Sequence, residues 1–200
     1  MATCLITSGY ATDCKNQIGG IKEVYFTSDY NNNCRTSATA GATDGTITAG
    51  GLSSWSIYGT PTASKVQIYK YELRQNLSSA TVNLNSDPLT ATTFFEQTLN
   101  LQLTKITPAQ ANELRLIAYS RPQVFIVDHN NTVMCFGWDN GMDVSGGTLV
   151  TGVAKGDMSG FTLDLRAEEK EAAIFLNSSG PGTAGYPFDG ISDHADLDIN

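Results

Sequence analysis

The run Glu168-Glu169-Lys170-Glu171 is a carboxylate cluster of the kind that performs acid/base work on glycosidic bonds when held across a cleft. Here the residues are consecutive at the exit of an expected strand, so alternate members point to opposite faces. They read as a solvated or intersubunit charge run. His129 follows Asp128 in an expected hairpin turn, and no nucleophile lies near it in the sequence. It reads as a solvent-facing turn residue, and so does His194 in the acidic tail. Asp139-Asn140-Gly141-Met142-Asp143 has a superficial calcium-loop spacing but lacks the terminal glutamate, so it reads as a turn. Cys4, Cys14, Cys34 and Cys135 contain no closely spaced pair of the kind structural zinc uses. Reduced, buried thiols are the expected state, with pairing among the three N-terminal cysteines left open. Phosphate-cradling loops, nucleophile elbows and zinc-binding helix motifs are missing. The expectation is therefore no catalytic residue, no cofactor and no metal, and a protein that is not an enzyme. Trp55, Trp138 and the tyrosines near residue 70 leave open sugar stacking by a carbohydrate-binding β-sandwich module. The other reading of these aromatics is core or interface anchors.

The elements that would position any such residue are mostly strands. Phe94 to Thr104 alternates throughout: Phe95, Leu99, Leu101 and Leu103 share one face, broken only by Gln97, while Thr98, Asn100, Gln102 and Thr104 share the other. Period-two alternation marks a strand with one buried and one wet face. Eleven residues at ~3.3 Å each span roughly 36 Å, which is long for a globular strand. A helix over about 108–120 follows, with Thr107 as cap, Pro108 at the first position and Gln110 completing T-x-x-Q. Its apolar stripe is Ala111, Leu114, Ile117 and Ala118, and Pro122 ends it. Gln123–Asp128 and Thr132–Trp138 flank the turn His129-Asn130-Asn131, where asparagine tolerates left-handed backbone. Thr148–Ala154 and Phe161–Arg166 form a further hairpin, with Thr162, Asp164 and Arg166 on its polar face. The pattern predicts a mainly β fold: an antiparallel β-sandwich or half-barrel with one flanking α-helix.

At 200 residues the chain suits one sizeable domain. The division expected is 1–20 as an N-terminal arm, 21–176 as a single β-rich domain and 177–200 as a C-terminal extension. Within it, Ile21–Thr27, Thr46–Thr48, Leu52–Tyr58 and Lys65–Leu73 are strand candidates, and Asp29–Gly45 is a polar loop. Arg74–Thr93 is a long connection in which Ala80–Leu84 is expected to pair as a strand, and loops of this length often contact a partner. Gly180-Pro181-Gly182-Thr183-Ala184-Gly185 has linker composition, so the tail reads as disorder or as a segment reaching a neighbour. The formal net charge of −8 without a Lys/Arg cluster argues against tight phosphate binding. No leader or apolar span appears, so the expectation is a soluble protein made in a cytoplasm without membrane anchoring.

In its order of elements, residues 94–176 resemble tail tube proteins of long-tailed bacteriophages. The likeness rests on the long alternating strand, the T-x-x-Q helix with Asn112-Glu113-Leu114-Arg115, and Val124-Phe125-Ile126-Val127-Asp128. It continues through Gly137-Trp138-Asp139-Asn140-Gly141, Ser145-Gly146-Gly147-Thr148, Thr151-Gly152, Asp157-Met158-Ser159-Gly160-Phe161-Thr162-Leu163 and Glu169-Lys170-Glu171. The resemblance implies a structural virion protein located in the tail. Six copies would form a ring, long strands would join into one inner barrel, and rings would stack into a tube for DNA ejection. Its partners would be sister copies, other tail proteins at the tube ends, and duplex DNA passing without specific binding. Thr98, Asn100, Gln102, Thr104, Thr162 and Asp164 would face the lumen, and Phe94, Phe95, Tyr69, Tyr71, Glu169 and Lys170 would lie between subunits. Neighbouring copies would then cover the strands at Phe94–Thr104 and Lys65–Leu73. A neck or terminator ring of the virion is the alternative.

Overall fold

A computed structural model describes residues 15, 17–27, 36–38, 55–57, 66–74, 77–105, 107–176, 178–189 and 197–200. The strands are β1 (Ile21–Thr27), β2 (Thr36–Ala38), β3 (Trp55–Ile57), β4 (Val66–Glu72), β5 (Ser79–Asp87), β6 (Thr92–Thr104), β7 (Val124–Asp128), β8 (Val133–Phe136), β9 (Asp143–Val150), β10 (Gly160–Glu169), β11 (Ile174–Leu176) and β12 (Leu197–Ile199). One helix, α1 (Pro108–Tyr119), is present among the described residues. The chain is mainly β, as its patterning predicts. Most of the polar loop, Thr46–Thr48, Cys4, Cys14, Cys34, His194 and most of the arm lie outside the described residues.

Two sheets face each other. One has six strands in the order β11-β8-β7-β1-β4-β12, and the other has four, β5-β6-β10-β9. Their shared core joins Val24, Phe26, Val124, Ile126 and Phe136 of the larger sheet to Leu99, Leu101, Leu163 and Leu165 of the smaller. The larger sheet is buried on both faces, which explains why β7 reads as an unbroken apolar run. Its outer face carries a second core of Tyr25, Phe125, Val127, Cys135 and Phe188.

That second core corrects the expected role of the chain beyond Leu176. Residues 178–189 lie over the outer face, with Phe188 fully buried and edge-on to Tyr25 (5.5 Å) and Phe125 (5.1 Å). Then β12 joins β4 in parallel, and Asn200 exchanges backbone bonds with Ile68 and Lys70. This part of the chain completes the fold. Its few apolar residues are spaced too widely to show periodicity, yet one phenylalanine in an aromatic pocket suffices to anchor it.

The helix begins as its sequence requires. Thr107 Oγ1 accepts from the Gln110 backbone N–H at 3.3 Å and donates to Gln110 Oε1 at 2.9 Å. The β7–β8 turn places Asn131 at φ 62°, and Asp128 Oδ1 accepts from the N–H groups of Asn130 and Thr132. β9 starts well before the expected Thr148 and includes Gly146-Gly147, with its pairing to β10 shifted by one residue between Val144 and Gly146. A Cβ on Gly147 would lie 2.8 Å from the Thr162 carbonyl, so the close approach of β10 selects glycine inside a strand.

Gln97, the break in the alternation of β6, is only 1% exposed. Its Oε1 accepts from Gly137 N–H at 2.8 Å, and its Nε2 donates to the Glu171 carbonyl at 3.2 Å. The side chain ties two loops to the central strand. Gln97→Leu completes the apolar stripe but leaves both backbone groups unpaired. The expected result is a loss of about 1–3 kcal/mol in urea unfolding rather than a gain. A variant as stable as the parent contradicts this account.

Candidate assembly surface

The four-stranded sheet brings the six residues expected on a polar lumen onto one wet face. Register pairs Thr162 with Gln102, Asp164 with Asn100, and Gly160 with Thr104, and Thr98 continues the same row. On β5, Ser79, Thr81 and Asn83 extend that row, and Thr148 of β9 does so on the other side. Hydrogen bonds lace the face together: Asn100 to Asp164, and Thr148 Oγ1 to Thr162 Oγ1 at 2.6 Å. The one cation on these strands, Arg166, shares this face as its alternation with Thr162 and Asp164 predicts, although the resemblance does not place it among the lumen residues. Its guanidinium contacts Glu96 at 2.9 Å and Glu168 at 2.8 Å. The face thus pairs its one arginine with two carboxylates.

The residues expected between subunits separate into two groups. Phe94 and Tyr69 are each more than a third exposed, and Lys170 is exposed. Phe95 is half-buried on the apolar face. Tyr71 packs into its own core, edge-on to Phe26 at 5.2 Å. Glu169 is buried within its own chain, where its carboxylate accepts from Asn140 N–H at 2.9 Å and Asp139 N–H at 3.3 Å. Burial pushes this carboxyl above its usual range, against the opposing pull of the two N–H donors. Glu169 is therefore an internal clamp on the 139–141 turn, not a solvated or intersubunit charge. That turn also needs Gly141, whose φ is +73° and whose Cβ would lie 2.5 Å from the Arg121 carbonyl.

The edges of the sheet differ from expectation as well. β6 lies between β5 and β10, and β4 lies between β1 and β12, so the chain covers both strands itself. Among the described residues, the edges of the four-stranded sheet are β5 and β9. Neither carries lysine or proline, the residues that commonly blunt an edge against association. Both expose apolar side chains: Leu84 at 61% and Leu149 at 54%. Between α1 and β9 runs a groove of about 450 Å³.

The other chemistry-bearing residues stay apart. His129 is exposed in its turn, Trp138 packs on the second core, and burial pushes the Cys135 thiol up. No described cluster of three His, Cys, Asp or Glu side chains is arranged to hold a metal, and no described helix is long and apolar enough to cross a membrane. No known protein family, curated protein or solved structure matches this chain.

Proposed function

We propose that this chain is a structural virion protein whose hexameric rings stack into the hollow tail tube through which phage DNA is ejected. The observation that carries the reading is the four-stranded sheet: one face belongs to the core, the other is wet with its arginine neutralised, and neither edge is paired among the described residues. A sheet of this kind is a liability in a monomer and a building block in a closed barrel, because closure removes edges. Four strands from each of six copies make 24 (6 × 4). At ~4.8 Å spacing and a tilt of some 35°, such a barrel is about 45 Å across.

The wall chemistry suits a conduit. Sliding DNA must not exchange its counterions for fixed lysines and arginines, since that exchange is what makes binding tight. Six chains at −8 give −48 per ring (6 × −8), which repels phosphate. Electron microscopy of the purified full-length chain tests the reading. Sixfold rings stacked into open tubes are the expected result. Single rings that never stack would point to a neck or terminator role, and monomers at every concentration would overturn ring assembly.

A further inference from the structure

We propose that the open edge of β9, with the groove beside α1, receives β5 of a second copy head to tail, and that Leu84 of the incoming strand seats in that groove. This rests on the tube reading above and specifies which surfaces close the ring.

Strand direction supplies the first argument. Every neighbouring pair in β5-β6-β10-β9 is antiparallel, so β5 and β9 run in opposite senses. A second copy related by rotation about an axis along the strands brings its β5 antiparallel to β9, and the ladder continues unbroken. Lengths match, at nine residues for β5 and eight for β9.

Side-chain placement supplies the second. Val82 and Leu84 lie opposite Gln97 and Phe95, on the apolar face of their sheet. On the same face β9 carries Leu149 and the side-chain-free Gly147, opposite Phe161 and Leu163. Gly147 leaves the groove open down to Leu163, and the helix walls it with the small Ala111 and Ala118 beside Leu114. The site is thus a slot with apolar walls next to a strand edge that no described strand pairs, and the incoming strand supplies both the backbone and the leucine. On the wet face, Thr81 and Asn83 of the incoming strand would continue the row that Thr148 begins.

Charge supplies the third. β5 ends at Asp87 and β9 begins at Asp143, at the same end of the sheet. Arg121, 2.9 Å from Asp143 and half exposed, is the cation available to both when the copies join.

Two variants of the full-length chain test this, read by sedimentation velocity and electron microscopy. Leu84→Asp removes the inserting side chain, and Leu149→Asp spoils the receiving edge. Both positions are exposed in the protomer, so each variant should keep the parent's circular dichroism and melting profile. Each alone should need about thirtyfold or more protein to form rings, the effect of losing one interface anchor. Mixed in equal amounts they should form dimers and nothing larger, because each still offers one sound surface. Leu84→Ala, which cannot misfold by burying a charge, should show a smaller shift in the same direction. Normal rings from Leu84→Asp would overturn the β5–β9 joint while leaving the tube reading intact. Dimers from Leu84→Asp alone would overturn head-to-tail pairing, since they would have to join β9 to β9. A parent chain that stays monomeric would overturn the tube reading itself, and this joint with it.

Discussion

Tubes carrying Asn100→Lys, Gln102→Lys and Thr162→Lys together are expected to hold duplex DNA that the parent tubes let pass. The three positions are neighbours on the wet face, two of them directly paired in register. They add eighteen lysines per ring (3 × 6). Eighteen positive charges leave the ring's net charge of −48 negative, so retention would report local contacts at the wall and not a change of overall sign. Each lysine that neutralises a phosphate releases counterions, and six to ten such contacts cost about a thousandfold or more in affinity between ~50 and ~200 mM salt. Co-sedimentation of tubes with short duplexes should therefore detect binding that is strong at low salt and falls steeply as salt rises. Parent tubes should bind no duplex at physiological salt. Micromolar affinity in the parent, or no gain in the variant, would sink the conduit reading of this face.

Glu169→Ala is expected to be the most destabilising substitution of a charged side chain among the described residues. It leaves the N–H groups of Asp139 and Asn140 without their acceptor and opens a void beside the 139–141 turn. Two part-buried donors left unpaired, at up to about 1–3 kcal/mol each, place the loss at roughly 2–6 kcal/mol, enough to unfold a marginal domain. Chemical denaturation of both proteins measures it. The pH dependence has a definite sign. Burial raises the carboxyl's pKa in the fold, so the folded state binds its proton more readily than the unfolded state does. The stability linked to that proton is complete below the usual carboxylate range and is lost as pH rises through the elevated value. The gap between parent and Glu169→Ala should therefore widen as pH falls from neutral into the carboxylate range. A gap that narrows would mean that the N–H donors outweigh burial and that the pKa is depressed.

Glu169 also shows where sequence reading fails. Four charged residues in a row look solvated, and three of these are exposed. The fourth falls on the inward side of β10, where the turn before β9 offers two N–H groups. Only the partner makes the burial tolerable, and the partner lies thirty residues away in the chain. Gln97 follows the same rule, since its acceptor and donor come from loops that no local pattern connects to it.

What the sequence determined by itself is local. The wet and dry faces of β6, the capped start of α1 and the left-handed Asn131 all follow from side chains within a few residues of one another. Alternation fixes which way a side chain points, because backbone pleating has a period of two. It carries no information about which strand lies alongside. Tertiary structure alone placed β6 in the middle of its sheet, put β5 and β9 at the edges among the described residues, and drew Phe188 and β12 back onto the core. Lateral hydrogen bonds join backbone groups that every residue except proline possesses, so their pairing is set by how the whole chain packs.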